Sequence, residues 1–126
     1  MPGRRDPPLP TPAELTLLQI LWERGPSSVR EVHDALGRDV AYTSVLKQLQ
    51  TMYSKQLVRR HDEARAHVYE AAEPREKVER RAVSDLVARM FGGSPEQLAM
   101  RALSLRKSSA GELEQLRRLL DAHPKE

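Results

Sequence analysis

The sequence has no cysteine, few aromatic residues and no long apolar run. The absence of cysteine excludes disulfide bonds and metal sites built on thiolates. Aromatic residues make up only 4% of the 126 residues whereas charged residues make up 31%, which favours a helical protein with many surface ion pairs over a β-sandwich. No apolar segment approaches the ~20 residues that span a membrane, and none follows Arg4 and Arg5 as a signal peptide would require. We therefore expect a cytoplasmic protein of one or two small domains, without membrane insertion.

Sequence patterns typical of enzyme active sites are absent as well. There is no glycine-rich phosphate loop, no His-Glu-x-x-His motif and no serine in a nucleophile-elbow context. Acidic pairs such as Glu112 and Glu114 fit a charged helix surface and need no catalytic role. His61 and His67 could share a metal ion, but two ligands do not make a site. We predict no enzymatic activity, no cofactor and no metal.

The positive charge is distributed unevenly along the chain. The formal net charge is +3, a mild indication of an anionic partner. Residues 1–39 carry five Arg against six acids, whereas residues 40–68 carry five Lys or Arg against two acids. The positive charge of the first half is therefore concentrated in residues 40–68. Contact with nucleic-acid phosphates requires such a local basic region.

Two capped helices are predicted before this basic region. Thr11 and Glu14 form a capping box, in which the side chain of each residue binds the backbone N–H of the other. Ser28 and Glu31 form a second box with the same spacing. Residues 1–10 contain four prolines and little that could pack, so we predict a flexible arm ahead of the first helix.

A third helix is predicted within residues 40–58, VAYTSVLKQLQTMYSKQLV. Apolar residues recur with a period near 3.6 on one side, at Val45, Leu46, Leu49 and Met52. The other side is poor in acid and rich in hydrogen-bonding groups: Thr43, Ser44, Lys47, Gln48, Gln50 and Thr51. Such a side suits a helix that reads bases in a major groove. It equally suits the solvent-facing side of a surface helix, and this stretch alone does not separate the two interpretations.

A basic β-hairpin is predicted after this helix. Residues 57–61 and 66–70 are partly β-branched or aromatic, and they flank the polar, turn-like residues 62–65. We expect four basic side chains near the tip of the hairpin: Arg59, Arg60, Arg65 and His67. Three helices followed by a hairpin wing form a winged helix-turn-helix, whose third helix enters the major groove while the wing lies against the backbone or minor groove. We predict a winged-helix DNA-binding domain over residues 11–73.

Three amphipathic helices are predicted over residues 74–126. Helices totalling about 45 residues have too little interior to bury their own apolar sides. A partner surface is therefore needed, and a two-fold homodimer is the commonest solution. The alternative is a monomer in which these helices fold back on the N-terminal module. We predict a helical dimerisation domain with an interface that contains Val83, Leu86, Val87, Met90, Leu103, Leu113, Leu116 and Leu120. The predicted fold class is therefore mainly α.

Three segments occur together in order: TPAELTLLQILWERGPSSVREVHDAL, then AYTSVLKQLQTMYSKQLVRR, then RAHVYEA. In this order they resemble the penicillinase-repressor (BlaI/MecI) family of bacterial transcriptional regulators. The resemblance is close over roughly residues 9–72. The C-terminal helices, which end in ELEQLRRLL, match the family only in pattern.

The resemblance implies a homodimeric winged-helix repressor that binds a palindromic operator in double-stranded promoter DNA. It implies that three side chains face bases: Thr43, Ser44 and Lys47. It implies that four side chains touch or approach phosphates: Tyr42, Lys55, Arg60 and Arg65. Gln48 and Gln50 stay undecided, because their direction depends on how the helix docks.

The resemblance also implies a further partner, a membrane-bound sensor protease. In the best-known members, this protease triggers cleavage of an Asn-Phe bond in the dimerisation domain when β-lactam is sensed. This chain has no Asn-Phe pair, and alignment gives Arg101-Ala102 at that position, so we do not expect induction by that cleavage. The copper-responsive branch uses a C-terminal cysteine pair, so the lack of cysteine excludes copper sensing by that route.

An alternative interpretation makes the winged helix a protein-interaction adaptor, which the fold alone would allow. The basic, acid-poor character of residues 43–60 favours DNA, because an adaptor would not need it.

Overall fold

The structure is a computed structural model that describes residues 6–37, 39–63 and 66–124. Within these residues the chain forms six helices and three short strands. In chain order they are α1 (Pro12–Arg24), β1 (Ser27–Ser28), α2 (Val29–Leu36), α3 (Tyr42–Ser54), β2 (Val58–Glu63), β3 (Ala66–Ala71), α4 (Arg75–Met90), α5 (Pro95–Leu103) and α6 (Ala110–Ala122). The described backbone falls into two compact units, one up to Ala82 and one from Val83 onwards. This architecture confirms the predicted fold class, a winged helix-turn-helix followed by a helical C-terminal region.

The three strands form an antiparallel sheet in the order β1-β3-β2. Glu63 of β2 lies opposite Ala66 of β3, so both Asp62 and Glu63 belong to a strand. The prediction that residues 62–65 form the turn was therefore wrong by two residues at its start, and residues 64–65 lie outside the described part of the chain. The strand β1 was not predicted, because two serines carry no strand pattern of their own.

The core of the first unit lies between α1, α2, α3 and the sheet. Its buried side chains are Leu17, Leu18, Leu21, Val29, Val32, Val45, Leu49, Met52, Leu57, Val58 and Tyr69. Each helix contributes residues spaced three or four apart, so that one side of the helix is covered and the other stays free. For α3 the covered side consists of Val45, Leu49 and Met52.

Local capping explains where the helices begin. Both predicted capping boxes are present, Thr11 with Glu14 at α1 and Ser28 with Glu31 at α2. In each box the side-chain oxygens accept hydrogen bonds from backbone N–H groups that have no partner inside the helix. The side chains of Ser94 and Ser109 cap α5 and α6 in a similar way.

In the second unit most large apolar side chains stay exposed. The exposed ones are Val83, Leu86, Met90, Met100, Leu103, Leu105, Leu113, Leu119 and Leu120. The exposed fraction is 69% at Leu120 and 72% at Met90. Two residues of the predicted interface behave differently: Val87 is buried within its own chain, and Leu116 is half-buried. These two side chains therefore offer less surface to a partner than we predicted.

None of the helices in the described ranges is long and apolar enough to cross a membrane.

Candidate nucleic-acid interface

Helix α3 exposes a polar face that contains no acidic residue. Successive residues of a helix are rotated by about 100°, so the buried side of α3 fixes which residues face outwards. Thr43, Lys47 and Gln50 lie one above another on the side opposite the core, and all three are exposed. This outer face has the hydroxyl, ammonium and amide groups that bind base edges in a major groove.

Ser44 and Gln48 lie at the edge of this outer face. Both line a small pocket between α1, α2 and α3, together with apolar side chains such as Leu17 and Leu36. Gln48 is half-buried there, whereas Ser44 is exposed. Of the predicted base-facing residues, Thr43 and Lys47 therefore share the outer face, and Ser44 stands beside it. Gln50, which the sequence left undecided, belongs to the outer face.

The N-terminus of α3 differs from those of α1, α2, α5 and α6. Its N-cap residue is Ala41, which supplies no side-chain hydrogen bond, and the first turn contains no acid. The positive end of a helix without its own cap is suited to bind a phosphate from outside the chain. We did not predict this feature, although position 41 visibly lacks the Ser, Thr, Asp or Asn that would cap a helix.

Tyr42 stands at this N-terminus within a cluster of aromatic and basic side chains. Its side chain is 40% exposed, and the His33 ring meets it edge-on with centroids 5.8 Å apart. Arg30 Cζ lies 5.5 Å from the centre of the Tyr42 ring, within the range of a cation–π contact. The His33 Nε2 donates to the carbonyl of Val40 at 2.7 Å, which ties α2 to the segment before α3. Arg30 thus lies beside Tyr42, the predicted phosphate ligand, a contact that we did not predict.

Arg60 lies at the other end of α3. It stands on β2, and its Cζ is 4.4 Å from the centre of the Tyr53 ring in the last turn of α3. The contact holds an exposed guanidinium group next to the outer face of the helix. Arg59 points to the opposite face of the hairpin, because neighbouring residues of a strand alternate between faces.

The register corrects our expectation of a basic tip. Val58 pairs with Ala71 at the base of the hairpin, so Arg59 and Arg60, the next two residues, also lie near its base. Nearer the tip, Asp62 lies opposite His67, and its carboxylate contacts the His67 ring. The prediction for Arg65 falls outside the described residues.

His61 and His67 point to opposite faces of the hairpin. His61 lies opposite Val68 while His67 lies opposite Asp62, which puts the two rings on different sides of the sheet. His61 contacts Glu70 at 3.8 Å instead. The two histidines therefore cannot bind one metal ion together, and the described residues contain no group of three or more metal-binding side chains.

Lys55 is engaged inside the protein. Its Nζ donates to Oε2 of Glu14 at 2.7 Å, and Glu14 is only 1% exposed. The other oxygen of Glu14 accepts from the N–H of Thr11 at 2.9 Å. Burial works to raise the pKa of the Glu14 carboxyl group, but the hydrogen bonds from Lys55 and Thr11 outweigh it, so the pKa lies below its ordinary value. Lys55 thus joins the end of α3 to the start of α1, a role that we did not predict.

Comparison with known proteins decides the family. The family model of the penicillinase repressor matches residues 10–122. The chain belongs to the penicillinase repressor family. It is also 34% identical, over 110 residues, to the Transcriptional regulator BlaI of Mycobacterium tuberculosis in the strains CDC 1551 / Oshkosh and ATCC 25618 / H37Rv. The alignment covers 85% of this chain and 79% of each relative.

Membership of the penicillinase repressor family confirms the predicted resemblance and extends it. The family model includes the whole of α4, α5 and α6, where the sequence had suggested a match in pattern only. The chain is thus a transcriptional regulator, and regulators of transcription are not a class of enzyme.

Proposed function

We propose that this penicillinase repressor family member is a sequence-specific repressor in the cytoplasm that binds a palindromic operator as a homodimer. Helix α3 enters the major groove with Thr43, Lys47 and Gln50 against the bases. Bound over a promoter, the dimer excludes the polymerase. The observation that carries the proposal is the acid-free outer face of α3, directly opposite the buried side of the same helix.

Basic groups at both ends of α3 support this docking. The uncapped N-terminus stands beside Tyr42 and Arg30, while Arg60 rests on Tyr53 at the last turn. The helix has 13 residues, so these two groups are separated by about 20 Å. In protein–DNA complexes, contacts to phosphates fix the register and contacts to base edges select the sequence. The ends of α3 would serve the first purpose and its outer face the second.

The exposed apolar surface of the second unit supports a homodimer. Side chains such as Leu86, Met90 and Leu120 are uncovered in the single chain. Val87 is the one buried hydrophobic residue in the described part of this unit. A single buried side chain is too small a core for a unit that folds without a partner. A two-fold axis would cover these side chains with their own copies. It would also present two copies of α3 to half-sites about 34 Å apart along the DNA.

The inducing signal is a separate question from operator binding. At the position where the resemblance implies cleavage, Arg101 and Ala102 lie in the helix α5. A protease needs an extended segment, so α5 would have to unwind first. We do not propose cleavage at this bond as the inducing step, and a sensor protease stays a prediction from the resemblance.

The test begins with selection of operators from random duplexes by the purified protein, followed by gel shifts. We expect Lys47→Glu to weaken binding to operator and random DNA alike, by about tenfold or more, because it places a negative charge against DNA. Thr43→Ala should weaken only operator binding, by roughly fivefold, because it removes a contact to one base.

Lys107→Glu is the matched control for Lys47→Glu. Lys107 is exposed in the second unit, so the same change of charge is made outside the unit that contains α3. If Lys47→Glu and Thr43→Ala bind both kinds of DNA as Lys107→Glu does, α3 does not read bases. An adaptor would give a different result, because its wild-type form would select no duplex at all.

A further inference from the structure

Glu73, between β3 and α4, is the centre of a group of contacts that the DNA interface does not use. Its Oε1 accepts from Arg81 Nη2 at 2.9 Å, and its Oε2 lies 3.2 Å from Lys77 Nζ. Its backbone carbonyl accepts from the indole N–H of Trp22 at 3.0 Å. Arg81 also donates through Nη1 to the carbonyl of Pro7 at 2.7 Å. We call these five residues the Glu73 cluster.

Within the Glu73 cluster the pair of Glu73 and Arg81 is largely shielded from water, whereas the Lys77 side chain is 57% exposed. The side chains of Glu73 and Arg81 are 13% and 17% exposed. A shielded ion pair is costly to break when one partner is removed, because the other charge loses its compensation. Arg75 adds a contact, with its Cζ 5.2 Å from the centre of the Trp22 ring. The first two turns of α4 are therefore tied both to the end of α1 and to the segment before α1.

The cluster anchors the start of α4 to the rest of the first unit. Helix α4 has 16 residues, so it is about 24 Å long. A tilt of about 10° at its start moves its far end by about 4 Å, slightly more than the ~3.4 Å between neighbouring base pairs. In the proposed homodimer α4 leads from each winged helix to interface residues such as Leu86 and Met90. In such a dimer the distance between the two copies of α3 would depend on the angle of α4 at Glu73.

We propose that the Glu73 cluster determines which half-site spacing this repressor accepts, an inference that rests on the proposed function. With the cluster intact, both copies of α4 leave at one fixed angle, and one spacing fits. With the cluster broken, α4 pivots, and operators with neighbouring spacings bind with similar affinity. Glu73 is therefore a positioning residue for specificity and touches no DNA itself.

The experiment uses the full chain and an operator selected with the wild type. Base pairs are added or removed one at a time at the centre of the dyad, which shifts one half-site relative to the other by about 3.4 Å and rotates it by about 35° per base pair. Glu73→Gln removes the charge from both ion pairs but keeps the side-chain size and the carbonyl that Trp22 binds. Glu79→Gln, on the exposed side of α4, is the matched control.

We expect the wild type and Glu79→Gln to prefer the selected spacing by about tenfold or more over its neighbours, the scale of one lost base contact. For Glu73→Gln this ratio should fall to about threefold or less, while affinity for a single half-site stays unchanged. Hydrogen exchange in the first two turns of α4 should also become faster. A role in stability alone would not change the spacing ratio.

If the spacing ratio of Glu73→Gln equals that of the wild type, the inference on half-site spacing is wrong. The proposed function is not affected by this outcome, because the wild type still binds its operator. If Glu73→Gln fails to fold, Trp22→Phe takes its place, since it removes the indole hydrogen bond to the Glu73 carbonyl while keeping an aromatic ring, and it should lower the ratio in the same direction. A wild type that binds single half-sites with no preferred spacing also refutes the inference. A wild type that selects no duplex refutes the proposed function and the inference with it.

Discussion

Replacement of Lys55 by alanine tests the contact that joins α1 to α3. In the wild type Lys55 Nζ lies 2.7 Å from a Glu14 carboxylate that is 1% exposed. The substitution leaves this carboxylate with its bond from Thr11 and with less compensation for burial. Loss of a hydrogen bond to a charged group costs about 1.5–3 kcal/mol. Because the Lys55 side chain is 37% exposed, water replaces part of the contact, and we expect a loss of about 1–2 kcal/mol in the free energy of unfolding.

Urea denaturation followed by far-UV circular dichroism measures this loss. All variants are compared at one protomer concentration, since the stability of a dimer depends on it. A double-mutant cycle with Glu14→Gln should give a coupling energy of about 1 kcal/mol. Lys107→Ala, at an exposed position of the second unit, should leave stability unchanged. If Lys55→Ala stays within about 0.5 kcal/mol of the wild type, or if the coupling is zero, the ion pair does not stabilise the fold.

The stabilisation by Glu14 should depend on pH in a definite direction. The pKa of Glu14 is lowered from its ordinary value of 4.5, so folding favours the ionised form. The stabilisation is fully present above about pH 4.5 and is lost as the pH falls through the lower value of the folded protein. The difference in stability between the wild type and Glu14→Gln should therefore be constant near neutral pH and shrink in acid. A difference that grows in acid would contradict the assignment.

Lys55 was also predicted to contact a phosphate, and the same variant tests that prediction. Each phosphate that a side chain neutralises adds about one to the slope of log affinity against log salt concentration. Measured well below the melting temperature, Lys55→Ala should lower this slope by about one if Lys55 reaches DNA. An unchanged slope together with lowered stability would mean that Lys55 contacts Glu14 and does not neutralise a phosphate.

Two further substitutions test the end of α3 and the dimer. Gln56 follows α3 with φ at +68°, a left-handed conformation that costs other residues about 1–2 kcal/mol and glycine far less. Gln56→Gly should therefore raise the free energy of unfolding by about 0.5–1 kcal/mol after the conformational entropy of glycine is subtracted. A free energy of unfolding below that of the wild type in urea denaturation would contradict this. Leu120→Glu should make the protein monomeric in sedimentation and weaken operator binding, because it puts a charge into the proposed interface. Gln115→Glu adds the same charge about 140° around α6 from Leu120 and should leave a dimer. If Leu120→Glu is still a dimer, Leu120 does not belong to the interface.

The sequence predicted the features that depend on neighbouring residues. The capping boxes at Thr11 and Ser28 join residues three apart, so their chemistry is visible in a short window. The contact between Glu14 and Lys55 spans 41 residues and follows from how α1 and α3 pack. Glu14 was therefore predicted as a cap, and its second role appeared only with the fold. The contact between Trp22 and Glu73, 51 residues apart, could not be predicted from the sequence for the same reason.

The sequence predicted a hairpin, but it did not predict which residues of the two strands pair. Its two strands carry the right residue types, but no glycine marks the turn, and the sequence alone did not fix which residues pair. The observed register moves Asp62 into β2 and brings Arg60 to the base of the wing. This shift changes the expected role of the wing, because the arginine beside Tyr53 now stands at the end of α3.

The residues of the outer face of α3 could also be defined only with the fold. A helical wheel of residues 40–58 separates polar from apolar residues, but the polar side is wider than one groove can contact. The buried positions of Val45, Leu49 and Met52 define the centre of the covered side and therefore the centre of the free side. Gln50 falls at that free side, whereas Ser44 borders the pocket against α1. Sequence preference should accordingly depend more on Gln50 than on Ser44, a distinction that the order of residues could not provide.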